Sequence, residues 1–183
     1  TSWLRVPPLP AMPEGPFKVL WSYTDQAFRV VWGNKQEGVL KTKAEPREAA
    51  IQKQAREILL KSGIPNVFVP NVLGVSEQPA EGMPEEVVKA QVQGKGFLLM
   101  ETGPKLSLED LLDYDYPTLP EHIKNVFPEP IKLEDFNNLR KAMELLHTND
   151  ITHGDLALVN ILVSQKDGKT DFHLIDWQRA KTF

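Results

Sequence analysis

His153-Gly154-Asp155-Leu156-Ala157-Leu158-Val159-Asn160, followed downstream by Leu174-Ile175-Asp176-Trp177, is the stretch on which the reading of this chain turns. Asp155 and Asn160 stand five residues apart, and Asp176 follows Asn160 by sixteen. Ile161-Leu162-Val163 and Phe172-His173-Leu174-Ile175 read as the strands of a small hairpin, with Lys166-Asp167-Gly168-Lys169 as its turn. Upstream, Leu133 to His147 reads as a helix with Phe136, Leu139, Met143 and Leu146 on one stripe. Two of the three polar residues therefore bracket a loop between a helix and a hairpin, and the third closes the hairpin. An Asp in a turn means little alone, because turns favour Asp. Asp176 is different, since it lies between Ile175 and Trp177, where an unpartnered carboxylate is costly.

Working outward, the region before the helix has another character. Phe17 to Trp21, Ala27 to Trp32 and Gly38 to Thr42 read as three strands joined by tight polar turns, Ser22 to Gln26 and Gly33 to Lys35. Pro46 suits the first turn of a helix, and Arg47 to Ser62 follows with Ala50, Ile51, Ala55, Ile58 and Leu59 at helical spacing before Gly63. Val72 to Val75 and Gly96 to Met100 are apolar strands. The polar segment Glu77 to Lys95 between them, with two prolines and two glycines, reads as a mobile hairpin loop. Thr102-Gly103-Pro104 interrupts the pattern like a hinge. Ser107 is placed to cap a short helix from Leu108 to Asp113, with Asp110 in the capping-box position. Residues 114–130, rich in Pro and Tyr, read as a surface wrap.

The predicted fold class is α+β in two lobes. Residues 1–16 form a proline-rich arm. Residues 17–101 form a lobe with a five-stranded antiparallel sheet and one helix. Residues 102–183 form a second, mainly helical lobe. No internal repeat is present.

Composition narrows the field. The chain has 183 residues, 41% hydrophobic and 25% charged, which is ordinary for a globular protein. Its net charge of −4 supplies no basic footprint for nucleic acid. It has no cysteine, which excludes disulfides, thiolate metal sites and a Cys nucleophile, and fits a reducing, cytoplasmic location. No apolar run approaches the roughly 20 residues that span a bilayer. The arm does not read as a signal peptide. The sequence is silent on oligomeric state.

The spacing His-x-Asp-x-x-x-x-Asn with a later Asp matches the arrangement kinases use for phosphoryl transfer. That reaction needs positioning, neutralised phosphate charge and a well-placed acceptor hydroxyl more than covalent help. Asp155 is placed to take the proton of the attacking hydroxyl. Asn160 and Asp176 supply hard oxygens suited to Mg²⁺ beside ATP phosphates. His153 reads as a support for the loop rather than a base. Lys41, on the third strand after Val39-Leu40, can reach the α- and β-phosphates if an acidic residue steadies it. Glu48 is the first candidate for that partner and Glu57 the second. Phe97 to Thr102 reads as a strand entering the hinge, where backbone groups near Thr102 can bond adenine and Met100 can line its pocket.

These residues resemble the aminoglycoside phosphotransferase and choline kinase group of the protein-kinase-like fold, especially its fungal members. The resemblance covers about 17–183 and is most specific from Leu146-His147 to Asn160 and at Ile175-Asp176-Trp177. It implies Asp155 as catalytic base, Asn160 and Asp176 as metal ligands, Lys41 paired with a helix Glu, and ATP with Mg²⁺ as cofactors. Gly154 where protein kinases carry Arg, Ala157 where Ser/Thr kinases carry Lys, and Asp176-Trp177-Gln178 in place of Asp-Phe-Gly point to a small-molecule hydroxyl as acceptor. Two departures are visible. The turn from Ser22 to Gln26 has no glycine, and the chain ends seven residues after Asp176, so the second lobe is expected to be incomplete. A protein Ser/Thr/Tyr kinase and a pseudokinase or scaffold module are the alternative readings.

Overall fold

In a computed structural model, residues 8–115 and 118–183 are described. The first seven residues of the expected arm and two residues of the expected surface wrap lie outside them. The chain divides into two compact units. The first holds residues up to Lys53 and Asn71–Thr102, and the second holds Gln54–Pro70 and Gly103–Phe183.

The first unit is built on β1 (Phe17–Thr24), β2 (Ala27–Trp32), β3 (Gln36–Ala44), β5 (Val72–Ser76) and β6 (Gly96–Met100). They form one sheet in the order β1-β2-β3-β6-β5, with every neighbouring pair antiparallel. Alternation explains the pairing. β2 buries Phe28, Val30 and Trp32 and turns the intervening residues outward, as period-2 strands do. All five residues of β6 are buried. Its Phe97 and Leu99 join Phe17, Phe28, Val30, Trp32, Leu40 and Val87 in one apolar cluster. Its Leu98 and Met100 join Leu9, Ala44, Ala49, Val72 and Val75 in another. Because adjacent residues of a strand point to opposite faces, each face of β6 carries its own core.

Helix α1 (Pro46–Lys61) begins with Pro at its first position, as the sequence predicts, and carries Glu48 in its first turn. Its first half belongs to the first unit and its remainder to the second. The segment from Glu77 to Lys95, expected as a mobile hairpin loop, contains helix α2 (Glu85–Lys89). The reason is packing: Val87 is fully buried in the cluster with Phe97 and Leu99. Thr42 then ties the segment to β3, accepting from Val92 N–H at 3.2 Å through its carbonyl and donating to the Ala90 carbonyl at 2.9 Å.

The second unit is not mainly helical, contrary to the sequence expectation. Alongside α3 (Leu108–Leu112), α4 (Glu121–Lys124) and α5 (Leu133–Thr148) it has a four-stranded sheet. The sheet order is β4 (Val67–Phe68), β10 (Lys169–Leu174), β9 (Ile161–Lys166) and β7 (Leu106–Ser107), and β8 (Ile151–Thr152) pairs separately with β11 (Lys181–Thr182). β9 and β10 form the predicted hairpin around a tighter turn. Asp167 and Gly168 both have positive φ, 54° and 78°, which is what a two-residue turn between right-twisted strands requires. β4 was invisible in sequence because it has only two residues. It is held by Asn66, whose Nδ2 donates to the Thr170 carbonyl at 2.9 Å and whose carbonyl accepts from Phe172 N–H at 2.8 Å.

On α5 the buried positions are Asp135, Ala142 and Leu146, while Phe136 is exposed. The stripe is thus rotated from the purely apolar one, because the Asp135 carboxylate accepts from Thr170 N–H at 3.1 Å. The capping box on α3 is present, with Asp110 N–H donating to Ser107 Oγ at 3.0 Å. The expected surface wrap contains α4 and is anchored by Leu119, Ile123 and Phe127, all buried.

Candidate functional site

The loop from His153 to Asn160 is held by a chain of hydrogen bonds within the second unit. His153 is buried, and its Nε2 lies 2.7 Å from the Ile175 carbonyl. A carbonyl only accepts, so Nε2 carries the proton. Nδ1 is then the acceptor for Asp155 N–H at 3.2 Å. The imidazole thus fastens the start of the loop to the end of β10, with its ring 4.6 Å from that of Trp177. This is the supporting role expected from sequence. Asn160 is buried and donates from Nδ2 to the Asp155 carbonyl at 2.9 Å, while its own carbonyl accepts from Ile175 N–H at 3.0 Å. Asp155, Asn160 and the residue before Asp176 are therefore tied together although far apart in sequence.

Three local consequences matter for chemistry. The Asp155 carboxylate is half-buried and hangs from a backbone pinned at both its N–H and its carbonyl. Nδ2 of Asn160 is committed to the Asp155 carbonyl, which fixes the orientation of the carboxamide. Asp176 is half-buried and adopts φ +60°, a left-handed conformation costly for a non-glycine residue and concentrated at functional sites. Trp177, fully buried and donating from Nε1 to the Leu174 carbonyl at 3.0 Å, anchors that turn. Gly154 has φ +82°, and a Cβ there would overlap the Arg179 carbonyl oxygen. That gives a backbone reason for glycine where protein kinases carry Arg. Among the described residues no group of three or more His, Cys, Asp or Glu side chains is placed to hold a metal. Asn160 and Asp176 carry a carboxamide and a carboxylate, ligand types that Mg²⁺ accepts when water completes its shell.

In the first unit, Lys41 Nζ lies 2.5 Å from Glu48 Oε2. Lys41 sits on β3 opposite Ala27 and Leu98, and Glu48 is 2% exposed. Burying a carboxylate is expensive even when paired. The pair is therefore poor evidence for stability and better evidence for a positioned ammonium. Of the two helix acids weighed from sequence, Glu48 is the one at Lys41, and Glu57 is exposed. Met100 is buried in β6. Thr102 is half-buried just past the strand.

Sequence reasoning missed two supports here. Gln52, one turn beyond Glu48, is buried and donates to Met100 Sδ at 3.9 Å. Its four-residue offset from Glu48 was the available signal. Glu101 makes a ring with Asn71. Its N–H donates to the Asn71 carbonyl at 3.0 Å, and its Oε1 accepts from Asn71 N–H at 2.8 Å. No sequence pattern announces that contact.

No family model matches the sequence, and no curated protein sequence does. Among solved structures the chain is similar to that of the Cydia pomonella granulovirus kinase PK-1, at 15% identity and a TM-score of 0.53, over 91% of this chain and 53% of that one. The chain spans about half the length of that kinase. At this identity the likeness is one of fold: the chain has a mixed α+β, kinase-like fold. Among the described residues no helix is long and apolar enough to cross a membrane.

Proposed function

We propose that this chain carries the nucleotide-handling part of an ATP- and Mg²⁺-dependent phosphotransferase whose acceptor is the hydroxyl of a small molecule. The observation that carries the reading is the lock on Asn160: its Nδ2 on the Asp155 carbonyl and its carbonyl on Ile175 N–H. Those bonds tie the backbone of the candidate base to Asn160 and to the residue before Asp176, which supports the reading.

In this reading Asp155 orients the acceptor hydroxyl and takes its proton. Asn160, through its carboxamide oxygen, and Asp176, through its carboxylate, would hold Mg²⁺, which supplies charge neutralisation at the phosphates. Lys41, steadied by Glu48, binds phosphate oxygens. Met100 and the backbone near Thr102 receive the base. Aminoglycoside phosphotransferases and choline kinases are the group whose motif the loop resembles, and Ala157, where Ser/Thr kinases carry Lys, is the residue that favours a small acceptor over a protein.

The test is ATP turnover with panels of amino alcohols, sugars, aminoglycosides and peptides. Asp155→Asn is expected to lower turnover by about 10²–10⁴-fold, the usual contribution of a general base, while nucleotide affinity stays within experimental error. Turnover stimulated only by peptides would favour a protein kinase. Absence of nucleotide binding at millimolar ATP would favour a scaffold.

A further inference from the structure

The arm before β1 docks on the first unit in a way its proline content does not foretell. Val75 N–H donates to the Pro10 carbonyl at 2.9 Å, and Met12 N–H donates to the Val75 carbonyl at 3.1 Å, forming a parallel bridge between Ala11 and Val75. β5 is the last strand of its sheet, so the arm covers an edge that would otherwise offer unpaired backbone groups. Gly74 permits the approach: a Cβ there would lie 2.8 Å from both Met12 Cα and Pro13 Cδ. Leu9 is buried and belongs to the cluster of Ala44, Ala49, Val72, Val75, Leu98 and Met100. Ala49 is the residue after Glu48. Further along the same helix, Lys53 Nζ donates to the Pro8 carbonyl at 2.7 Å.

We infer that residues 8–13 form a latch that holds the first half of α1 against the sheet and so keeps Glu48 at Lys41, with Leu9 as the positioning residue. A buried carboxylate needs its partner at close range. A helix of a kinase-like fold that shifts or turns slightly would withdraw Glu48 from the ammonium. Three contacts oppose that shift: the Leu9 side chain in the core beside Ala49, the Lys53 bond to Pro8, and the two backbone bonds to Val75 that hold the arm itself. The consequence for catalysis rests on the phosphotransferase reading. The mechanical claim does not.

The experiment is amine labelling of Lys41 in the nucleotide-free chain, read by mass spectrometry, together with amide exchange. Leu9→Ala is expected to raise Lys41 labelling severalfold and speed exchange over residues 46–53, with exchange in β9 and β10 unchanged. Leu9→Met, which refills the site, restores both. A core truncation can loosen the whole first unit, so Lys53→Met is measured beside it. This change removes only the bond to Pro8, and a smaller rise in the same sense is expected. The inference is overturned if, in either variant, the Val75 amide loses protection while Lys41 labelling and exchange over 46–53 stay at wild-type values. It is also overturned if Leu9→Met fails to rescue. Labelling requires no ATP, so a chain that binds no nucleotide would refute the proposed function and leave the latch standing. Normal nucleotide binding with the overturning labelling pattern would refute the latch alone.

Discussion

Glu48 shows how one side chain acquires a role from its surroundings. In sequence it is one of two acids on its helix; in the fold it is 2% exposed and 2.5 Å from Lys41. Glu48→Ala should destabilise the chain by about 3 kcal/mol, the lower end of the roughly 3–5 kcal/mol range for breaking a buried pair, because Lys41 keeps some access to water. Chemical unfolding checks this, and the same variant should weaken ATP binding. Asp171 makes a different case. Burial first, and the Asp135 carboxylate second, push its carboxyl up. The folded state therefore holds that proton more tightly than the unfolded one. Its contribution to stability is present at low pH and lost as pH rises through the folded value. Asp171→Asn should thus raise the melting temperature at neutral pH, and the gain should fade below about pH 4, where the unfolded-state carboxyl also binds its proton. A gain unchanged in acid would contradict the assignment.

At the scale of elements, the segments that sequence misjudged are short ones held by contacts with residues distant in the chain. Helix α2 is five residues long and lies in a polar stretch, yet Val87 is fully buried beneath it. Val87→Asp should melt α2 and destabilise the first unit by several kcal/mol, since it buries an unpaired charge in an apolar cluster. Faster amide exchange over residues 77–95 would report it, and wild-type exchange there would refute the packing argument. β4 depends in the same way on Asn66, and the turn at Asp176 on Trp177. By contrast, β2, β3, β5, β6, α1 and α5 were each visible within one or two residues, and β1 and the β9–β10 hairpin were visible with strands up to three residues longer than expected. Their patterns repeat over several positions, and repetition is what a periodicity can register. The α5 stripe was right at Leu146, which is buried, but missed Asp135, because a hydropathy pattern does not expect a buried acid that accepts from Thr170.

At the scale of the whole molecule, the testable quantity is the coupling of folding to ligand. If Asp176 and Lys41 serve nucleotide, ATP with Mg²⁺ at a hundredfold excess over Kd should add about 2.7 kcal/mol to stability by mass action. A thermal shift assay reads this as a raised melting temperature, abolished in Asp176→Ala. No shift in the wild-type chain would count against the nucleotide role. The chain spans about half the length of the viral kinase that it resembles in fold, so acceptor choice is a question to ask in the assay, across chemically distinct hydroxyl compounds.

Sequence alone determined the α+β class, the longer elements, and the identity and order of Asp155, Asn160 and Asp176. Spacing in a motif and apolar periodicity are local properties, carried by neighbours a few residues away. Only the tertiary structure decided which acid meets Lys41, that the second unit is built around a sheet as much as helices, and that Gly154 answers to Arg179 and Leu9 to the core of β5 and β6. Those outcomes depend on close contacts between residues distant in the chain, where a fraction of an ångström separates a hydrogen bond from a clash and no local pattern records the partner.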